Sequence, residues 1–253
     1  MKEAPFGVSF FRRQNMAYKR VLLKLSGEAL KENSDAILSA EALDNMAQMV
    51  KKIHESGVQV CIVIGAGNIW RGKIAKDAGM DQFEADYMGM MGTVINAVAL
   101  GARLKVLGVQ SLVTSAIGPV PEVNVPYSIE VADKAMNEGK VVFLSGGTGK
   151  PYCSTDTAAA MRAVELNCDA ILMGKNGVEG VYDKDPRKDA TAKFFPVITY
   201  EEMLKLNLQI MDISAIELIK NKDIQIRVFR MEADNFIAAA QGKNVGSICK
   251  KGE

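Results

Sequence analysis

Leu144-Ser145-Gly146-Gly147-Thr148-Gly149-Lys150-Pro151, followed at once by Tyr152-Cys153-Ser154-Thr155-Asp156, decides the architecture. It begins inside Val141-Val142-Phe143-Leu144, which is short, apolar and β-branched, the pattern of a buried parallel strand. Beyond it, Thr157 to Glu165, with Ala158-Ala159-Ala160 inside, predicts a helix. A strand thus runs through a glycine loop into a helix. Glycines at such a junction let backbone N–H groups approach a phosphate, whose charge the helix dipole favours. The loop is not a Walker A motif. Leu144 stands where the first glycine would fall, and Lys150 is followed by Pro151 instead of Ser or Thr. A tight βα turn with Asp156 as helix N-cap is the purely structural alternative.

Outward from this point the pattern alternates. Strands are predicted at Val21–Leu25, Val58–Ile64, Ser111–Thr114, Val141–Ser145, Ala170–Met173 and Ile226–Phe229. Between and after them, helices are predicted at Ala40–Glu55, Asp86–Leu107, Ser128–Glu138, Thr157–Glu165, Glu201–Leu206, Asp212–Lys220 and Ala233–Ala240. Strands separated by helix-length segments imply right-handed βαβ units. The expected fold class is α/β, a three-layer αβα arrangement with a mostly parallel central sheet and helices on both faces. Residues 18–253 are expected to form a single domain, with the turn-rich Lys175–Lys193 segment marking its lobes. Residues 1–17 are expected to be a peripheral extension. Met16-Ala17-Tyr18-Lys19-Arg20 leads straight into the first strand, so Met16 is the expected start and Met1–Asn15 is expected to be poorly ordered.

Composition narrows the chemistry. The 253 residues carry 31 Lys+Arg and 30 Asp+Glu, a net charge of +1 that offers no basic footprint for nucleic acid. Arg12-Arg13 and Lys250-Lys251 read as solvated tails. Apolar runs are too short and broken for a membrane span, and Met1 to Gln14 lacks the apolar core of a signal peptide. Cys61, Cys153, Cys168 and Cys249 form no CxxC pair, so a cytoplasmic protein with free thiols is expected. The single histidine, His54, reads as a surface or last-turn imidazole ahead of Gly57. Lysine, arginine, aspartate, backbone amides and a metal ion are left to do any chemistry.

Ligands in open α/β sheets sit at the carboxyl ends of strands, and three more loops fall there. Val21-Leu22-Leu23-Lys24-Leu25-Ser26-Gly27-Glu28 places a lysine in an apolar strand, costly unless it meets an anion. An edge strand with a snorkelling Lys24 is the alternative. Ile64-Gly65-Ala66-Gly67-Asn68-Ile69-Trp70-Arg71-Gly72 begins like a dinucleotide fingerprint, but Trp70 holds the place of the third glycine. Arg71 there is either a bidentate phosphate clamp or a surface arginine. Met173 to Pro186 contains the turn signals Asn176-Gly177 and Asp185-Pro186, for which a hairpin is the simplest structure. Its aspartates, Asp183, Asp185 and Asp189, do not fit an EF-hand. Four such loops in a histidine-poor α/β chain favour two phosphate-bearing ligands.

Taken together, Lys24-Leu25-Ser26-Gly27-Glu28-Ala29-Leu30, Gly65–Gly72, Asp86-Tyr87-Met88-Gly89-Met90, Gly147–Asp156 and Asn176–Pro186 resemble the bacterial uridylate (UMP) kinases of the amino acid kinase superfamily. The resemblance runs from about Tyr18 to Ser247-Ile248. It implies an amino acid kinase-like fold, with an acceptor-binding lobe over about 18–170 and an ATP-binding lobe over about 171–253. It implies ATP plus UMP giving ADP plus UDP, a step of pyrimidine nucleotide biosynthesis, with Mg²⁺ carried by ATP. By match to the family motifs, Lys24, Leu25, Ser26 and Gly27 cradle the ATP phosphates, and Gly67 and Arg71 lie between the substrates. Asn176, Tyr182 and Asp185 hold the base and ribose of ATP. Ala66, Asp86 and Thr148-Gly149-Lys150-Pro151-Tyr152-Cys153-Ser154-Thr155 bind UMP. Asp156 orients the active-site lysine, and Asp212 joins the same ionic network. A homohexamer, GTP activation and UTP inhibition follow from the resemblance too.

Three positions depart from the family pattern. Ala66 replaces a glycine, which requires a negative φ or an open N–H side. Cys153 stands where an aromatic residue is common. Lys31-Glu32-Asn33-Ser34-Asp35-Ala36 has no glycine. The competing functions are a superfamily kinase acting on an amino acid or carbamate, and a nucleotide-binding regulator without transfer activity.

Overall fold

The computed structural model describes residues 17–31 and 36–252. The expected N-terminal extension up to Met16, and Glu32 to Asp35 of the glycine-free loop, lie outside the described residues. The chain runs β1 (Arg20–Leu25), a 3-10 turn (Gly27–Leu30), α1 (Ala40–Glu55), β2 (Gln59–Ile64), α2 (Gly72–Asp77), α3 (Gln82–Val106), β3 (Ser111–Ser115) and β4 (Val125–Pro126). It continues α4 (Ile129–Asn137), β5 (Val141–Ser145), α5 (Thr155–Glu165), β6 (Ala170–Lys175), β7 (Val181–Tyr182), β8 (Phe194–Phe195) and β9 (Val197–Thr199). α6 (Tyr200–Lys205), α7 (Ile213–Ile219), β10 (Gln225–Arg230), α8 (Ala233–Ala240) and β11 (Ser247–Lys250) complete it.

Nine strands form one sheet in the order β4-β3-β5-β2-β1-β6-β10-β11-β9. The pairs from β4 to β10 are parallel, as the βαβ pattern requires. β11 pairs antiparallel with β10 and parallel with β9, so the far edge runs the other way. Lys250 is therefore a strand residue opposite Thr199, and the reading of Lys250-Lys251 as a tail is corrected at that residue.

Period-2 alternation in β1 sorts the core. Leu22 packs in one cluster with Ala159, Ala160 and Ala163 of α5 and Ile216 and Ile219 of α7. Val21, Leu23 and Leu25 pack in the other, with Val50 and Ile53 of α1, Leu100 of α3 and Phe236 of α8. Lys24 falls on the Leu22 face. In β6, Ile171 and Met173 belong to that same cluster, so Lys175 shares the face. β1 lies between β2 and β6, which removes the edge-strand alternative for Lys24.

Helix starts are set by caps. Ser154, not Asp156, caps α5, its side chain accepting from Thr157 N. α3 begins at Gln82 under an Asp81 cap, so Asp86 lies inside the helix and not at its mouth. Asn176-Gly177 does not close a hairpin; the antiparallel pair is Val181–Tyr182 against Phe194–Phe195 around a longer loop. His54 sits in the last turn of α1, where partial burial, opposed by the Glu55 charge, lowers its pKa. A proton there is disfavoured in the folded state. Stability should then fall as pH drops through the ordinary imidazole range and level off below the lowered pKa. His54→Gln should remove that part of the fall in Tm between pH 7 and 5, and an unchanged profile would refute it.

Candidate functional site

The face shared by Lys24 and Lys175 opens at the carboxyl ends of β1 and β6. Lys24 Nζ is ion-paired with Asp156 in the first turn of α5, both side chains about four-fifths buried. Lys175 Nζ donates to Ile210 O at 2.8 Å. Burial lowers the Lys175 pKa first, and the neighbouring Lys24 charge lowers it further, against the pull of Asp156 and Asp212. Asp212 stands at the N-cap of α7, and Thr157 and Ser214 hydroxyls 2.9 Å apart join the starts of α5 and α7. Two lysines facing one pair of carboxylates leave a place that a polyanion stabilises. Lys175 escaped the sequence reading. The signal was available: like Lys24, it ends a buried apolar strand.

Gly27 brings the first two glycine loops together. A Cβ there would overlap Asn68 Oδ1 and Gly65 O, and would lie 3.0 Å from Asn96 Nδ2. Asn96, fully buried on α3, donates to Gly65 O at 2.8 Å and is paired with Asn68. Ala66 is not among the non-glycine residues with positive φ, so its methyl is accommodated. Gly92 of α3 makes the room, since a Cβ there would sit 2.8 Å from that of Ala66. Arg71 is exposed on the rim, donating to Gly67 O at 3.1 Å and paired with Glu28 at 2.5 Å. Glu28 is a second residue that sequence reasoning did not assign.

A cavity of about 320 Å³ adjoins these loops. Ala66, Gly67, Asp86, Lys150, Cys153, Ser154 and Thr155 line it, joined by Trp70 and Met90, to which the motifs containing them gave no role, and by Thr93, outside any motif. Asp86 Oδ2 accepts from Tyr152 N at 2.6 Å, tying α3 to the loop after β5. Tyr152 adopts φ 64°, a left-handed conformation unusual for its side chain, and projects into solvent. Thr148 Oγ1 accepts from Lys150 N and donates to Lys150 O, closing the loop on itself. Gly149, at φ 80°, has Ala116 O only 2.7 Å from where a Cβ would be. Pro151 follows in the same turn.

A second cavity, of about 560 Å³, has Lys175 in its wall. Asn176, Tyr182 and Asp185 gather in its wall with Leu208, Ile210 and Val228. Asp185 accepts from Arg187 Nε and Nη2 at 2.9 and 3.0 Å, which holds its carboxyl down at about 2. Leu25, Ser26 and Gly27 lead from the end of β1 into the 3-10 turn. Three of the four sequence-predicted loops line these two cavities, whereas Leu25 and Glu28 of the first line a third, of about 490 Å³, together with Asn176.

The match to known proteins follows the same outline. Residues 19–230 match the family model described as the amino acid kinase family. The UMP kinase from Bacillus anthracis is 35% identical, with a TM-score of 0.89 over 93% of this chain and 97% of that one. The UMP kinase from Ureaplasma parvum is 39% identical, with a TM-score of 0.87 over 93% of this chain and 100% of that one. The uridylate kinase from Archaeoglobus fulgidus, at 24% identity and a TM-score of 0.72 over 90% of this chain and 99% of that one, shares the fold. With the βαβ order, the glycine loops and the paired lysines all in place, the chain belongs to the amino acid kinase family.

Proposed function

We propose that the protein transfers the γ-phosphoryl group of ATP to UMP, giving ADP and UDP. The observation that carries this is the pair Lys24 and Lys175 on one face of adjacent strands, Lys175 in the wall of the 560 Å³ cavity, with its charge disfavoured until an anion arrives. UMP belongs in the 320 Å³ cavity and ATP in the 560 Å³ one, its phosphates reaching Lys24, Ser26 and Gly27. A phosphate monoester has its second pKa near ~6, so the attacking oxygen is largely ionised and no base is needed. That oxygen bonds to the γ-phosphorus while the bond to the β–γ bridging oxygen breaks, and ADP leaves with the electron pair. Lys24 and Lys175 hold the charge spread over the equatorial oxygens, and Asp156 fixes Lys24 in place.

Mg²⁺ carried in on ATP would supply charge neutralisation for the transferring phosphoryl group. Asp212, whose charge acts on Lys175 from the N-cap of α7, would be the carboxylate to hold the ion. A coupled assay across UMP, CMP, dUMP, glutamate and carbamate tests the reading. ADP release with UMP above all others is expected, and turnover of glutamate or carbamate would replace it. UMP should also slow labelling of Cys153, the one exposed thiol, whereas Cys168, its pKa raised by the Cys61 thiol and then by burial, and Cys249, raised by burial, should label only on unfolding. Equal labelling rates with and without UMP would move UMP elsewhere.

A homohexamer built from dimers is part of the same reading. Met91 and Ile95 of α3, about half exposed, and Val106, 72% exposed, support assembly through that helix. The GTP response should be weak. Without glycine, Lys31–Ala36 has fewer φ > 0 conformations, and Glu32 and Asp35 oppose a polyanion that Lys31 only partly offsets. Initial velocity of the oligomer at subsaturating ATP, with and without GTP, is the check. A several-fold activation lost on mutating this loop would refute the expectation.

A further inference from the structure

Arg162 of α5 is only 4% exposed and does not line the UMP cavity, yet its fork reaches the loop that does. Nη1 donates to Glu165 Oε2 at 2.7 Å, and Nη2 donates to Gly147 O at 3.1 Å. The guanidinium carbon lies 3.8 Å from the ring centroid of Tyr127, whose hydroxyl donates to the same Glu165 oxygen at 2.5 Å. Ring and carboxylate therefore fix the guanidinium from two sides, leaving one arm for the backbone.

That backbone needs holding. Gly146, Gly147 and Gly149 have φ of 76°, 59° and 80°, which glycine takes up freely but does not fix by itself, and Tyr152, at 64°, is held in a conformation its side chain disfavours. Thr93 of α3 holds the loop at one end, its Oγ1 accepting from Gly146 N at 2.8 Å while donating to Met90 O at 2.7 Å. Arg162 grips the next residue from the opposite side, at its carbonyl. A hydrophobic side chain at 162 would fill the space but release Gly147.

On the UMP reading above, we propose that Arg162, clamped by Tyr127 and Glu165, is a positioning residue for the phosphoryl acceptor. It acts through the Gly147 carbonyl to keep Gly147–Lys150 in the conformation that receives the nucleoside monophosphate. It touches neither substrate, and ATP should be indifferent to it.

The test is steady-state kinetics with calorimetric UMP binding on the full chain and on Arg162→Met, Arg162→Lys and Tyr127→Phe. Arg162→Met should raise KM for UMP about tenfold or more, as loss of a charge-assisted hydrogen bond implies, with KM for ATP within about twofold. Arg162→Lys, able to reach Gly147 O or Glu165 but not both, should lie between. Tyr127→Phe keeps the ring and should show a smaller rise in the same parameter. Equal changes in both KM values, or a lower Tm with unchanged UMP binding, would overturn the proposal. If Arg162→Met does not fold, an unchanged UMP KM in Arg162→Lys and Tyr127→Phe overturns it just as well. Failure of the unsubstituted chain to phosphorylate UMP would instead defeat the functional reading.

Discussion

Lys24→Ala is expected to lower turnover by ~10²-fold or more while UMP still binds, the loss typical of removing one electrostatic contact to transition-state charge. The separation follows from position. Lys24 is absent from the wall of the 320 Å³ cavity proposed for UMP and stands near the end of β1 against Asp156. Truncation leaves Asp156 without its counter-ion, which costs stability, so Tm should be followed alongside activity. Asp156→Asn should share the loss in turnover, because the lysine then has no fixed anchor. The Lys175 pKa should rise toward the usual lysine range in Lys24→Ala, since a charge that lowers it has gone. The group then keeps its proton to higher pH, and the alkaline fall in residual rate should shift upward. Near-normal turnover in Lys24→Ala would remove Lys24 from the reaction.

Asp86→Asn is expected to weaken UMP by about tenfold or more, the value of a hydrogen bond to a charged group, and to leave ATP affinity nearly unchanged. Placement in the interior of α3 excludes the alternative in which Asp86 merely favours a helix start, a task that falls to Asp81. An asparagine oxygen can still accept from Tyr152 N, so the loop keeps its tie while the charge proposed to meet the ribose hydroxyls is lost. Calorimetric titration of each nucleotide separates the outcomes. Equal losses for UMP and ATP, or lower stability with both affinities intact, would show that Asp86 only braces the loop.

Much of this was legible from residue order. Short apolar runs marked β1, β2, β5, β6 and β10, with glycine in or beside the first four, because strands buried on both faces favour that composition. Helix ends were less legible. Ser154 and Asp156 are both good caps by type, and only the backbone geometry chose between them. β11 was hidden by its chemistry, since Ser247-Ile248-Cys249-Lys250 is short and ends in charge. Lys175 was masked by the turn signal Asn176-Gly177 beside it, and its closeness to Lys24 depends on the pairing of β1 with β6 across a long stretch of chain. The Arg162, Glu165 and Tyr127 cluster gave no motif, because it joins α5 to a segment ahead of α4. Asp86 and the loop after β5 were named separately, and their direct contact is a product of the tertiary fold.

The reversed strand at the sheet's far edge has a consequence for synthesis. β9 joins the sheet through β11, and Val181 N, at the start of the Tyr182 segment, donates to Ser247 Oγ at 2.8 Å. A polypeptide emerging from the ribosome can assemble β1 to β6 from residues already released, since those pairings need nothing later. The wall around Asn176 and Tyr182 has to wait for residues near 247–250. Nascent chains would therefore close the wall of the 320 Å³ cavity first, and that of the 560 Å³ cavity only once residues 247–250 have been released.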